Sequence, residues 1–446
     1  MKRLATLLPL AALICTFGAP LQAGAQKIAP TTVVASVKHP AWTRSSNIYE
    51  VNLRQYSKEG TLNAFAATLP RLKQMGVEVI WLMPIHPIGE KNRKGTLGSY
   101  YAVKDYQAVN PEFGTMDDLR RMVKQAHGLG MHVILDWVGN HTAWDHPWTS
   151  EHADWYKKND KGEIHAVSFK NDSGGTEEWA DVVGLDYRNK ALWTAMTDAM
   201  AFWVREAGID GFRADAAGMV PIGFWDQARA KLDKIKPVFM LAEADEPGLH
   251  ERAFDASYDW QLNGIMQRIG KGQAGAAELK AYVANPAKAY ARDAYRLQFT
   301  SNHDINSWQG ADKDLYGPAA GAMAVLSYTL PGIPLVYNGQ EAKLEKKLAF
   351  FEKDAIDWKT TELEGFYAGL NQLKKQNPAL WNGKAGGTMQ VLDVINDQLF
   401  AFRRQQGKNT VQVIVNPTGV LQKYKLAGDE GQAVIKPWRW RIIVSD

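Results

Sequence analysis

Eight short runs rich in β-branched and aromatic residues recur along this chain, and the stretches between several of them carry apolar residues at helical spacing. The runs span 47–56, 77–84, 132–138, 210–216, 237–244, 254–260, 295–304 and 333–341, with amphipathic intervals at 62–75, 116–129 and 191–207. A strand followed by a helix and then by another strand of the same sheet crosses over and returns parallel, so eight such repeats leave few architectures open. The fold class expected is α/β, a parallel (β/α)8 TIM barrel.

The third interval is too long for one helix. Residues 139–188 are rich in Trp, His, Asp, Gly and Lys with little periodicity, so an inserted excursion over the barrel mouth is expected there. The barrel is thereby divided into 26–138 and 189–382, with a last helix over 362–375 that Asn377 and Pro378 end. From 383 to 446 short strand-like pieces (391–394, 398–403, 411–416, 422–425 and 438–444) alternate with turns, which points to a small C-terminal all-β domain, a β-sandwich.

Lys2 and Arg3 precede an apolar run, and Ala23-Gly24-Ala25 offers a small-x-small cleavage site. Residues 1–25 therefore read as a signal peptide, and the protein as exported to the periplasm or the medium. Cys15, the only cysteine, lies inside that leader, so the mature chain is expected to hold no disulfide. The formal charge is only +4 and no long basic run occurs, which argues against nucleic acid as a partner. Beyond the leader no stretch reaches the roughly 18 uninterrupted apolar residues that a membrane span needs. Sixteen tryptophans are many for this length; most would fill a core, while others suit stacking on the C–H faces of sugar rings.

Active sites on such barrels form at the carboxyl ends of the strands. There the chain places costly polar groups: Asp136 through His141 at the third strand, Arg213 and Asp215 at the fourth, Glu243 at the fifth, and Asn302-His303-Asp304 at the seventh. Arg213 and Asp215, two apart on a strand, share a face. An ion pair aimed into a barrel costs several kcal/mol to desolvate, so something must compensate it. A lone Asp at a strand end is usually a turn former or a cap, but that does not account for the whole set. Cleavage of a glycosidic bond does, because it needs one carboxylate ionised as nucleophile and one carboxyl protonated as acid. Arg213 is expected to hold Asp215 ionised. Glu243, between Ala242 and Ala244, is expected to keep a proton in less polar surroundings, helped by repulsion from Asp304.

The segments DWVGNH (136–141), GFRADA (211–216), the Glu of LAEAD (Glu243) and FTSNHD (299–304) stand in that order, with GSYYAVKDYQAVNPEFGTMDDL (98–119) and GIPLVYNGQE (332–341) beside them. In these the chain resembles the α-amylase family of glycoside hydrolases, from about residue 42 to the end. The resemblance implies a retaining endo-hydrolase of α-1,4-glucosidic bonds in starch, glycogen or maltooligosaccharides, with an α-glucan as its partner. It makes Asp215 the nucleophile, Glu243 the general acid/base and Asp304 the third carboxylate. Arg213 would orient the nucleophile, His141 and His303 would bond sugar hydroxyls, Tyr101 would form a stacking floor, and Asp105 would be a structural partner near Arg213. Within the family, a cyclomaltodextrinase or neopullulanase-like or transglycosylating enzyme is the alternative, and a non-catalytic glucan-binding member a remote one.

Two departures from the family pattern stand out. Many α-amylases follow the nucleophile with a Lys-His pair, where this chain reads Ala217-Gly218-Met219. In members that bind structural calcium an Asp stands where this chain has Gly184, so no metal and no cofactor is expected at the usual site. Other signals are set aside. Gly270–Gly275 matches a dinucleotide fingerprint but follows a helical pattern, Asn159–Gly162 reads as a turn, and His127 and His132 lie at the wrong end of the third strand for catalysis. Trp144, Asp145, His146 and Trp148 either line an outer sugar site or pack the excursion.

Overall fold

A computed structural model describes residues 37–170, 174–358, 362–425 and 431–446; the expected leader lies outside the described residues. Eight parallel strands close a barrel. They are β1 (Ile48–Val51), β2 (Val79–Leu82) and β3 (His132–Val138), then β7 (Gly211–Asp215), β8 (Phe239–Ala242), β9 (Ala256–Tyr258), β10 (Tyr295–Gln298) and β11 (Ile333–Tyr337). Their order around the barrel is β1-β11-β10-β9-β8-β7-β3-β2, so the ends of the chain's strand series meet and leave no open edge. Side chains on both faces of these strands are buried, which is why they read as nearly continuous apolar runs.

The sequence runs are longer than the strands. The first ends at Val51, and Leu53–Tyr56 forms a single helical turn; Phe299 to Asp304 leave β10 to enter the loop. The interval 62–75 is two helices, Leu62–Ala66 and Leu69–Gln74. Pro70 lies in the first turn of the second; within one continuous helix its ring would clash with the carbonyl four residues back, that of Ala66. Met116–Gly128 begins with a capping box between Thr115 and Asp118, and Asn189 caps Lys190–Glu206.

After β3 the excursion contains an antiparallel sheet of β4 (His141–Ala143), β5 (Ala166–Lys170) and β6 (Thr176–Gly184), in the order β4-β6-β5. Its own small core gathers Ile88, Ala102, Ala143, Val167 and Val182. Beyond the last barrel helix, Glu364–Gln376, β12 (Thr388–Val391), β13 (Phe400–Gln406), β14 (Asn409–Val415) and β17 (Trp440–Ser445) form an antiparallel sheet. β15 (Gln422–Tyr424) pairs with β16 (Ala433–Ile435), a strand the sequence pattern did not signal. The C-terminal sheet is pinned to the barrel by cations buried among carbonyls. Arg404 donates to the carbonyls of Leu330 (3.2 Å) and Trp381 (3.1 Å), and the Lys374 amine to those of Gly332 (3.0 Å) and Leu380 (2.7 Å). Burial lowers the pKa of both groups, and a neighbouring positive charge lowers each further, Arg404 beside Lys374 and Arg292 beside Arg404. Among the described residues no helix is long and apolar enough to cross a membrane.

Gly211 opens the strand that carries Arg213 and Asp215, and it lies flush against β8: a methyl group there would sit 1.9 Å from the carbonyl oxygen of Phe239. Gly211→Ala must therefore push β7 from β8, at a cost of about 1–3 kcal/mol or more. A clearly lower melting temperature is expected by calorimetry; melting with the wild type would show that the two strands are not packed this closely.

Candidate active site

Arg213 is the centre of the site. In parallel register on neighbouring strands, Asp136 of β3 stands opposite Arg213 of β7, and Val138 opposite Asp215. The guanidinium is wholly buried. Its Nη1 donates to Asp136 Oδ1 at 2.9 Å and to Asp215 Oδ1 at 3.1 Å, and its Nε to the Tyr258 hydroxyl at 3.2 Å. Nη2 lies 2.8 Å from Glu243 Oε1, a contact of charges without the alignment of a hydrogen bond. The other Glu243 oxygen accepts the backbone N–H of Ala216 at 2.8 Å. Ala216 adopts a left-handed conformation (φ 44°, ψ 42°) that is uncommon for a residue with a side chain. That turn aims the N–H after Asp215 at the carboxylate of the next strand.

A second chain of polar contacts starts inside the barrel. Glu50, on β1, faces His303 Nδ1 at 2.5 Å, and His303 Nε2 meets the Tyr101 hydroxyl at 2.7 Å and Asp304 Oδ2 at 3.3 Å. The Tyr101 hydroxyl donates in turn to Asp136 Oδ2 (3.1 Å), which also accepts from Trp81 Nε1 (3.1 Å). Burial opposes a charge on His303, but the carboxylates of Asp304 and Glu50 outweigh it and raise its pKa to about 9. At neutral pH the ring is an imidazolium donating from both nitrogens.

Burial, followed by repulsion from Glu243, pushes the Asp215 carboxyl far above its usual range, and Arg213 only partly offsets this. Burial also raises Glu243, with Arg213 drawing it down and Asp304 pushing it up. Two acids so placed titrate as a pair, their protons belonging to the pair and to neither acid alone. The expected division, with Arg213 reserved for Asp215 and Glu243 in apolar surroundings, is corrected: adjacent nitrogens of one guanidinium touch both.

The structure brings Tyr101, Arg213, Asp215, Glu243, His303 and Asp304 together at the carboxyl ends of the strands. His141 opens β4, buried beside the Tyr101 backbone with its ring edge-on to Trp179; burial lowers its pKa to about 4 and keeps it neutral. Asp105 is the exception. It is exposed and accepts the Gln107 N–H at 2.8 Å, while Asp136 is the partner of Arg213, because strand register and not loop spacing selects that contact. Glu50, Trp81 and Tyr258 were not among the residues expected; a glutamate inside the buried run Ile48-Tyr49-Glu50-Val51 is the signal that could have found the first. In place of a Lys-His pair the chain exposes Met219 and Ile222. Trp148 packs against Tyr106 (5.3 Å) and Trp155 (5.0 Å), and Trp144, partly exposed, donates to the Ala180 carbonyl at 2.9 Å.

The surroundings of Gly184 do not fit a calcium ion. Gly184 has no side-chain oxygen, the Lys157 stem lies against it, and the Lys157 charge depresses the pKa values of His141 and Asp186. A calcium ion takes six to eight oxygen ligands, and beside Gly184 stands a lysine stem in place of a carboxylate.

The family profile described as "Alpha amylase, catalytic domain" matches residues 39–394. Among curated proteins, the chain is similar to an alpha-1,4-glucan:maltose-1-phosphate maltosyltransferase of Rhodospirillum rubrum, with 28% identity over 82% of this chain and 56% of that protein. It is also similar to alpha-amylase 2 of Dictyoglomus thermophilum, with 24% identity over 84% of this chain and 70% of that protein. The chain thus spans little more than half of the maltosyltransferase. Among solved structures, an alpha-amylase from Lactobacillus plantarum superposes with a TM-score of 0.80 at 27% identity, covering 91% of this chain and all of that one. A noncanonic maltogenic alpha-amylase from Thermotoga neapolitana gives 0.78 at 28% identity, covering 90% and 96%.

The imidazolium of His303 sets an alkaline limit. Its pKa lies above the unfolded value near 6.5, so the order it confers is complete below about pH 6.5 and is lost as pH rises through about 9. The alkaline limb of a pH–rate profile is expected near 9, and Glu50→Gln, which removes one of the raising charges, should move it to lower pH. A limb unmoved by Glu50→Gln would exclude His303 as its source.

Proposed function

We propose, since this chain belongs to the α-amylase family, that it is an exported retaining endo-hydrolase of α-1,4-glucosidic bonds in starch, glycogen or maltooligosaccharides. The observation that carries the reading is the contact of one buried guanidinium with both Asp215 and Glu243. Such sharing keeps the two acids close, as a covalent double displacement requires with its spacing of about 5–5.5 Å. In this reading Asp215 attacks the anomeric carbon as the bond to the departing oxygen breaks, and the proton carried by Glu243 goes to that oxygen. Glu243, now ionised, takes a proton from water, whose oxygen displaces Asp215 from the glucosyl ester and restores both acids. Asp304 stabilises the positive charge that develops on the sugar. Tyr101 is the floor beneath the ring, and His303 and His141 meet its hydroxyls.

Transfer of the glucosyl group to a second sugar is the other reading. It is favoured by the relatives named as maltosyltransferases and by the apolar Met219 and Ile222 beyond the nucleophile. Chromatography of products from amylose, cyclodextrin, pullulan and maltose 1-phosphate separates the two. Oligosaccharides from amylose alone are the hydrolase outcome; chain extension with release of phosphate is the transferase outcome.

Asp215→Asn is expected to keep the fold and lower kcat on amylose by about a thousandfold or more; a rate near the wild type would end the proposal. Since the Gly184 region suits no calcium, treatment with a chelator should leave activity and melting temperature unchanged. One tightly held calcium per chain, with loss of the fold on its removal, would refute that part.

A further inference from the structure

Trp308 is the one exposed tryptophan among the described residues, 39% accessible at the barrel mouth. It belongs to a single π-helical turn, Ile305–Gln309, that follows Asp304 directly. Such turns are rare and recur at functional sites. The wider turn brings the indole back over the residue four earlier, and Nε1–H donates to Asp304 Oδ1 at 3.2 Å. The other Asp304 oxygen, Oδ2, faces His303 Nε2. A carboxylate 38% exposed is thus fixed on both oxygens, from inside the barrel by His303 and from outside by Trp308.

The ring has a second use. Its plane lies 5.1 Å from Phe350 at 35°, and Phe350 is stacked 6.3 Å from Tyr101 at 11°, so an aromatic wall runs from Tyr101 outward to Trp308. The wall is braced. Asn306 donates to the Lys346 carbonyl and accepts from the Leu348 N–H, and the Lys347 amine holds the Trp308 carbonyl at 2.8 Å. The acid Glu243 marks the side on which the leaving sugar departs, because its proton goes to that oxygen. Trp308 and Phe350 follow β10 and β11, and their ring contacts continue to Tyr101 on the loop after β2, whereas Glu243 follows β8.

We propose that Trp308 both positions Asp304 through its indole N–H and offers its open face as a stacking platform for a glucosyl unit beyond the cleavage point, on the side opposite the leaving group. This rests on the glucan-hydrolase reading above. Trp308 is a positioning residue for the reaction and a binding residue for the chain being cut.

Two substitutions separate the parts. Trp308→Phe keeps a flat ring and loses the N–H, so kcat on amylose should fall about tenfold, as loss of a hydrogen bond to a charged group does. Placed in the Glu243→Gln background, the same change should leave the Kd for maltoheptaose, read by titration calorimetry, within about twofold. Trp308→Ala should lower kcat equally and weaken maltoheptaose binding in that background about tenfold, the scale of one lost stacking platform. If the Ala variant fails to fold by its melting curve, Trp308→Leu, with bulk but no flat face, replaces it with the same expectation. Wild-type kcat in Trp308→Phe would overturn the positioning, and unchanged maltoheptaose affinity without the ring would overturn the platform. An unsubstituted protein inert on amylose would instead refute the hydrolase reading itself.

Discussion

A guanidinium sealed inside a barrel is the constraint around which this site is arranged. Desolvating Arg213 costs several kcal/mol, and only the carboxylates of Asp136, Asp215 and Glu243 together can offset that cost. The arrangement is reciprocal. Removing any one acid leaves the cation undercompensated, and removing the cation leaves three acids repelling one another at short range. The strands β3, β7 and β8 are thus bound at their carboxyl ends by charge as well as by hydrogen-bond ladders, and the close approach of Gly211 to β8 sets the spacing at which one guanidinium can span them.

The site is one circuit. From Glu50 through His303 to Tyr101, and from Tyr101 through Asp136 to Arg213, each side chain is oriented by the next. In the proposed reading, a sugar resting on Tyr101 would thereby be registered against Asp215 and Glu243 without any of these residues being neighbours in sequence. The carboxylates of Asp304 and Glu50 together explain how a histidine in a dry interior carries charge at neutral pH: burial alone would make it neutral, as it does His141.

The barrel could be read from the chain because strands buried on both faces are apolar along most of their length, so each of the eight announces itself whatever its partners. Strand ends were less legible. The polar residues that follow Val51 or Gln298 carry the same local preference for extended structure, and only the packed barrel turns them into a helical turn or a loop. Residues such as Asp215, Glu243 and Asp304 could be named because carboxylates gathered at several strand ends on one rim are expensive in any other role. Asp105 could not be placed correctly, since nothing in its spacing reveals that Asp136 stands in register with Arg213. Trp308 was hidden for a related reason: a tryptophan four residues after an acid reads as core, and the π-helical turn that swings it onto Asp304 has no composition of its own.

The two sides of the cleavage point differ in a way that bears on what the enzyme would accept. Outward from Tyr101 the surface is flat and aromatic, through Phe350 to Trp308, and a glucan chain presents a C–H face to such a wall. Past Asp215, Gly218 packs against Ala244 and Glu246, and Met219 and Ile222 offer apolar contact without a cation or an imidazole to grip hydroxyls. Binding energy in the proposed reaction then comes mainly from the side that is retained on Asp215, and little from the side that leaves. Such an imbalance releases the departing sugar readily while the glucosyl ester stays docked, so the identity of the next acceptor is decided by what reaches Glu243 first.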